Sequence, residues 1–505
     1  MKHFIDNSIV AEYCTRFNAQ DDEPYRGDIP NSEAADFLTA EIPRWDCPDP
    51  VFREIWYFRW WSFRKHIRTT PYGRVLLEFM PDVSWAGAFN TISCPATHQI
   101  RETRWFNDKA IAEEYLRFWL NPETGADPRK YTFGTASALL DTVSVTGNTN
   151  LLRELYPALC TNYAEWKKTH LRPNGFFRQS DGRDGMECSI GGSGYRVTIN
   201  SCMAAEANSL AIISSQLGNS HAAVKYRSES QELRNRIETL LWNEEYKFFM
   251  TRREEDESFV NVRELHGYTP WYYFRDMAEK YDCAWKQLIH PDGFLAPYGP
   301  TTAERRHPEF RIARDGHECL WNGPSWPFAT SITLTALAHL LQTRESTEIN
   351  RRAFFETLSC YTRSHYLREH GRIIPWIDEN LDPFTGTWLA REIMASWAES
   401  GQKQTSLIHE RGKDYSHSTY ADLIIHGLCG INTEFQNRIR IKPLLPPECW
   451  DYFLLDGVKI SGHYLSLQFD RDGSRYRRGA GLTLYIDGME ADHRHSLQES
   501  FEIAL

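Results

Sequence analysis

Apolar residues recur at spacings of three and four through most of the first 430 positions and at a spacing of two beyond them. From Pro50 to about Arg68 the run VFREIWYFRWWSFRKHI is dense in apolar and basic residues, and its length and spacing predict a helix rather than a strand. A second helix is expected over Ala110 to Leu120. Residues 131–171 read as two helices split at Gly147-Asn148, residues 200–242 as two more split at Gly218-Asn219, and residues 331–367 as a third pair. Tyr420 to Gly430 supplies a further helix. Residues 1–48, with Pro, Asp and Asn scattered through them, read as an irregular wrapping arm. After Ile431 strict alternation and Asp-Gly turns predict β-hairpins.

Long loops rich in Gly, Pro, Trp and acidic residues separate the helix pairs. The expected fold is mainly α: an (α/α)6 toroid with its long loops gathered at one mouth and a small β-rich C-terminal module. An open solenoid fits less well, because the pairs lack matched sequence and its connections should be short. Three units follow: an arm over 1–48, a catalytic barrel over 49–431 and a β-rich module over 432–505.

Composition narrows the class. With 41% hydrophobic and 25% charged residues the chain is an ordinary globular protein, and 505 residues can bury a substantial core. A net charge of −11 argues against a nucleic-acid or anionic-membrane partner. The eleven cysteines are scattered with no Cys-x-x-Cys pair, the N-terminus lacks an apolar signal core, and no Asn-x-Ser/Thr sequon occurs. Free thiols and a cytoplasmic location are therefore expected. Aromatics are the outlier: seventeen tryptophans sit beside Gly, Pro, Asp and Asn.

Four loops could carry chemistry. Gly371 to Arg391 holds Asp378, Glu379 and Asp382 between tryptophans, with Pro383 and Gly386 enforcing a turn. Carboxylates flanked by indoles suit a sugar site, although solvated turn acids are the plain alternative. Arg178 to Asn200 places Asp181, Asp184 and Glu187 among five glycines, which allow close approach of backbone and ligand. Glu318 to Ser331 clusters Trp321, Asn322, Gly323, Trp326 and Pro327, and Arg263 to Trp271 with Asp292 to Glu304 alternates aromatic and polar groups. His417 stands at the entry to a late helix, where a cap or core role competes with a ligand contact. No metal-ligand spacing, Gly-x-Ser-x-Gly elbow or dinucleotide fingerprint is present, so neither metal nor organic cofactor is expected.

These motifs resemble those of the family 63 glycoside hydrolases and mannosylglycerate hydrolases. Trp-Asn-Gly-Pro-Ser-Trp-Pro at 321–327 resembles their Trp-x-Gly-Pro-x-Trp-Pro signature, and Glu-Asn-Leu-Asp-Pro-Phe-Thr-Gly at 379–386 resembles their Glu-x-Tyr-x-Pro-x-Thr-Gly base motif. Gly-Arg-Asp-Gly at 182–185 resembles the start of their Gly-x-Asp-Asn-Ser-Pro acid motif. The resemblance implies the toroid and inverting hydrolysis, with Asp184 as general acid and Glu379 as base. Gly185-Met186-Glu187 replaces Asn-Ser-Pro, which makes Glu187 the alternate acid, and Leu381 replaces the motif tyrosine. A looser similarity links the PDVSWAGAFN loop and the β module to the family 142 β-L-arabinofuranosidases. The expected substrate is a small glycoside or oligosaccharide, attacked from its end because long loops should close a pocket. Expected sugar contacts are Trp85, Arg183, Tyr268, Trp271, Trp321, Asn322, Trp326, Trp388, Tyr415 and His417. A sugar phosphorylase, needing a cationic phosphate nest, and a non-catalytic sugar-binding protein on the same scaffold are the competing readings.

Overall fold

Each helix pair forms where the chain supplies a stop followed by a start. In the computed structural model, which describes residues 3–314, 316–369, 371–401, 410–434 and 438–505, the first helices are α1 Ser8–Asn18, α2 Ala34–Glu41, α3 Pro50–Arg64, α4 Ala96–Thr103 and α5 Ala110–Leu120. The pair α6 Thr135–Thr146 and α7 Asn150–His170 follows, then α8 Val197–Gln216 with α9 Ser220–Arg236. The short α10 Thr269–Tyr273 precedes α11 Pro327–Thr343 with α12 Arg351–Ser364, and α13 spans Leu389–Glu399.

Local chemistry sets these ends. Asp49 accepts hydrogen bonds from the Val51 and Phe52 amides and Pro50 opens the first turn of α3. Gly147 closes α6 at φ +75° and Gly218 follows α8 at φ +77°, left-handed conformations that favour glycine. Asn219 then caps α9 through Ala222 N, and Asn350 caps α12 through Ala353 N. Within the Tyr420–Gly430 stretch the helical turns are of the wider π type over Leu423–Leu428.

The N-terminal 48 residues differ from the irregular arm expected. They contain α1 and α2, and α1 buries Val10, Cys14 and Phe17 along one face. That face packs aromatically on α3, with Tyr13 stacked on Tyr57 at 4.6 Å and Phe17 against Trp61 at 5.7 Å. The segment does lie along the helical body, but the Pro-, Asp- and Asn-bearing residues 19–33 between the two short helices obscure them in the sequence.

The C-terminal strands form antiparallel sheets. A five-stranded sheet runs Arg44–Asp46, Tyr452–Ile460, His463–Asp470, Gly481–Ile486 and Met489–Arg494 in spatial order, so its first edge strand comes from the N-terminal segment. A three-stranded sheet joins Phe501–Ala504, Arg438–Ile441 and Ile431–Glu434. Trp45 connects the layers, with ring centroids 6.0 Å from Trp56 and 5.7 Å from Phe453. Two-stranded hairpins at Ile67–Thr70 with Gly73–Leu76, and at Tyr366–Glu369 with Arg372–Pro375, stand at the starts of loops that reach the site.

Most of the tryptophan excess belongs to the core: Trp45, Trp56, Trp60, Trp105, Trp166, Trp271, Trp285 and Trp388 are almost fully buried. All eleven cysteines are free thiols. None of the described helices is long and apolar enough to cross a membrane.

Candidate active site

A cavity of about 260 Å³ opens among the loops, and every loop that lines it carries a carboxylate or an aromatic ring. The Gly73–Leu76 strand ends by delivering Glu78 and Phe79, and the following loop adds Trp85, Ile92 and Cys94. Tyr131, Gly185 and Glu187 form another wall, and His317, Glu318, Cys319, Trp321, Trp326 and Phe328 a third. Arg411, Tyr415 and His417 complete the lining. Gly185 is required here: its φ is +68°, and a Cβ would collide with Cys94 Sγ.

The rings make a continuous apolar surface. Trp321 and Trp326 stack at 4.7 Å with planes 19° apart, and Tyr415 lies 3.9 Å from His417 between ring centroids. Phe79 meets Trp85 edge-on at 5.7 Å, and Trp85, 39% exposed, forms part of the rim. Such flat faces accept the C–H surface of a sugar ring. His417 is buried and held neutral by desolvation and by Arg59. Neither of its ring nitrogens has a hydrogen-bond partner among the described residues.

Arg411 organises the acids. Its guanidinium donates to Glu318 Oε1 at 2.9 Å and to Glu379 Oε1 through both Nε, at 3.1 Å, and Nη2. It also lies 5.3 Å from the Phe79 ring and 5.1 Å from Trp85. Cys319 Sγ donates to the other Glu379 oxygen at 3.2 Å. Glu379 is fully buried behind these two groups, and its amide donates to Asp378 Oδ1 at 2.8 Å. Burial first, and the neighbouring Glu379 second, push the Asp378 carboxyl up to about 7.

Glu187 is half-buried, with its backbone carbonyl accepting from Trp321 N at 3.1 Å. Desolvation, then the charges of Glu379, Asp181 and Glu318, push its carboxyl up to about 7. Glu78, buried on the opposite loop, is pushed up to about 8 by desolvation despite accepting from Tyr415 Oη at 2.5 Å. Neighbouring acids with unequal surroundings are the arrangement that separates acid from base.

Asp184 stands elsewhere. It accepts from Arg196 Nε at 2.5 Å, from Thr132 Oγ1 at 2.6 Å and from Thr198 Oγ1, at the start of α8. It borders a smaller cavity of about 50 Å³ behind Cys94 and Phe328, not the main one. A guanidinium and two hydroxyls thus engage both of its oxygens, which ties the side chain to the scaffold.

Of the expected sugar contacts, Trp85, Trp321, Trp326, Tyr415 and His417 line the main cavity. Tyr268 instead stacks on Trp285 at 4.1 Å and donates to Ala284 O, and Trp271 packs edge-on to Phe249 in the core. Trp388 donates to Tyr366 O, and Asn322 bonds Arg311 N through its carbonyl. Arg183 is exposed, 5.6 Å from the Tyr131 ring. Sequence reasoning missed Glu78, Glu318, Cys319, Tyr131, Phe328 and Arg411. Only Glu78 left a usable signal, as the one acid inside the apolar run Val75–Phe79. Among the described residues no group of three or more His, Cys, Asp or Glu is arranged to hold a metal ion.

A mainly helical body carrying acids and stacked indoles in one loop-lined cavity defines a carbohydrate-active class. Residues 88–418 match the family profile of the mannosylglycerate hydrolase MGH1-like glycoside hydrolase domain, and the chain belongs to this glycoside hydrolase family. It is similar over 99% of its length to a structure described as a sialidase, at 36% identity and TM-score 0.91. The chain spans 44% of that protein's length. At the level of fold it is similar to the GH78 family rhamnosidase of Bacillus sp. GL1, with TM-score 0.55, 12% identity, 88% of this chain and 42% of that one covered. The GH63 mannosylglycerate hydrolase from Thermus thermophilus matches with TM-score 0.50 at 10% identity, covering 69% of this chain and all of that one.

Proposed function

We propose that the chain is an inverting, exo-acting glycoside hydrolase of small glycosides or oligosaccharides, with Glu187 as general acid and Glu379 as general base. The observation that carries this reading is a carboxyl pushed up to about 7 on the wall of one aromatic cavity, with a carboxylate neutralised by Arg411 buried directly behind the lining residues Arg411 and Cys319. Glu187 enters the reaction protonated and gives its proton to the leaving oxygen. Glu379, paired with Arg411, takes a proton from water attacking the opposite face of the sugar. Glu379 has no exposed surface, so water reaches it by displacing the Cys319 thiol, a weak donor and the one partner of Oε2 among the described residues. Inversion calls for a separation of roughly 6.5–9.5 Å between the two carboxyls. What favours Glu187 over Asp184 as the proton donor is that it lines the cavity and that, among the described residues, no cation is bonded to it to hold it ionised. A volume of about 260 Å³, below the roughly 300–1,000 Å³ of sites for larger ligands, suits a single sugar unit and hence exo action.

The helix pairs α6/α7, α8/α9 and α11/α12 support reading residues 49–431 as the (α/α)6 toroid, preceded by the 1–48 segment and followed by the 432–505 module. No cofactor enters the proposed chemistry. A second reading draws on one feature. Tyr415 bonded to Glu78 at 2.5 Å beside Arg411 has the parts of a tyrosine nucleophile with its base, as sialidases use. Against it, Arg411 is already shared by Glu318 and Glu379, and an acid-rich lining repels an anionic sugar.

The test is a panel of aryl α- and β-rhamnosides, mannosides, L-arabinofuranosides and sialosides, with the product anomer followed by NMR. Turnover with inversion is expected, reduced about 10²–10⁴-fold in both Glu187→Gln and Glu379→Gln. An activated leaving group should rescue Glu187→Gln alone. Net retention, or full activity in Glu187→Gln, rejects the assignment.

A further inference from the structure

The mechanism proposed above leaves one cavity carboxyl unused. Glu78 lies just beyond the Gly73–Leu76 strand, and its backbone is fixed on both sides. Gln99 Nε2 donates to Leu77 O and to Ser416 O, each at 2.9 Å, and the Ser416 amide donates to Glu78 O at 3.2 Å. The side chain is 5% exposed, and that exposure is to the cavity it lines. Tyr415 Oη donates to Oε1 at 2.5 Å; among the described residues no other hydrogen bond reaches this carboxyl.

We infer that Glu78 is a specificity-determining residue of the cavity, standing there as a neutral carboxylic acid whose O–H is donated to an oxygen of the bound sugar. The inference rests on the hydrolase reading of the same site. Its physical basis is the burial of the group first and the charge around it second. From the 410–418 loop Tyr415 and Arg411 face it, from the other loops Glu379 and Glu187. Arg411 is bonded to Glu318 and Glu379 instead. Cys94, Tyr131 and, from α5, Tyr115 also sense its charge, and all three are uncharged at neutral pH with their own ionisation pushed upward. Desolvation, then the neighbouring Glu379 and Glu187, pushes the Glu78 carboxyl up to about 8, and among the described residues no cation is bonded to it.

With Oε1 occupied by the tyrosine proton, the carboxyl proton belongs on Oε2. A buried O–H needs an acceptor, and a sugar hydroxyl or ring oxygen provides one. A glutamine preserves this pattern, because its carbonyl accepts from Tyr415 while its N–H replaces the O–H. A substrate lacking the acceptor leaves the O–H unsatisfied and is rejected. The inference therefore predicts selection for one hydroxyl of a neutral sugar.

Glu78→Gln and Glu78→Met would be compared with wild type on the best aryl glycoside of the panel. Glu78→Met should raise KM about 10–100-fold, with Glu78→Gln recovering most of that loss. Wild-type KM should rise above about pH 8 as Glu78 ionises, and that rise should vanish in Glu78→Gln. The fall of kcat through the Glu187 ionisation should remain in both. A collapse of kcat in Glu78→Gln equal to that in Glu187→Gln overturns the inference and makes Glu78 an acid–base group.

Thermal stability gives a readout free of activity. A carboxyl whose folded value is raised binds a proton in the folded state that the unfolded chain has released. Wild-type stability therefore falls as pH rises from about 4.5 to about 8, a loss that glutamine cannot share. The Tm of Glu78→Gln minus that of wild type should grow steadily between pH 5 and pH 8. A pH-independent difference overturns the inference. Absence of turnover on every glycoside sinks the hydrolase reading, and the stability series then decides Glu78 by itself.

Discussion

Glu187 and Asp184 are three residues apart and meet opposite physics. Asp184 is locked to Arg196, Thr132 and Thr198 at the start of α8, so it anchors the glycine-rich loop. Glu187 has no such cation among the described residues, and desolvation, then the charges of Glu379, Asp181 and Glu318, keep its proton on to about pH 7. In the proposed role of general acid it works only while protonated. The expected kcat/KM profile therefore falls about tenfold per pH unit above this value. A kcat/KM that rises through pH 7 would remove Glu187 from the acid role. Sequence placed both residues in one loop with the right chemistry available. It could not rank them, because the ranking depends on Arg196 and Glu379, which come from other parts of the chain.

At the scale of elements, two loops meet where Glu379 is held. Residues 376–380 carry the acids, and the 410–418 loop brings Arg411 against them. Gly412 makes this contact possible, since a Cβ there would collide with Asp378 Oδ1. Gly412→Ala should push the two loops apart and pull Arg411 from Glu379. We expect a fall in kcat/KM of at least about tenfold and a lower Tm, measured on the same aryl glycoside. A variant with wild-type kinetics would mean that Arg411 does not hold the base. The helices were the easier elements to read. Gly147-Asn148 and Gly218-Asn219 end one helix and begin the next by rules that need no tertiary partner. The first 48 residues misled because α1 and α2 are short and the stretch between them, residues 19–33, is rich in Pro, Asp and Asn.

For the whole molecule, the C-terminal strands are joined to the helical body through many distinct contacts. Arg44–Asp46 pairs with Tyr452–Ile460, Phe52 meets Trp450 at 4.9 Å, and Ser461 N donates to Val145 O at 2.8 Å. Lys442 Nζ donates to Leu341 O and Gln342 O at the end of α11. Ending the chain at residue 434 would expose Trp45 and leave its strand unpaired. That truncated protein should lose near-ultraviolet circular dichroism and aggregate. A soluble, cooperatively unfolding truncation would instead establish the helical region as independently stable.

What the sequence determined by itself is local or periodic: the helix pairs, the β-rich tail, the acid-bearing loops and the motifs that mark a glycoside hydrolase family. Periodicity, caps and turn residues act over a few positions, so they survive in a linear reading. Tertiary structure decided which tryptophans are core and which line the cavity. Trp388 and Trp271 sit beside the same kinds of residues as Trp326 and Trp85, yet only the latter two border the cavity. It also brought together Glu78, Glu379 and Arg411, although Glu78 is remote in sequence from the other two. Burial and charge neighbourhood are properties of three-dimensional proximity, and they decide which acid holds a proton.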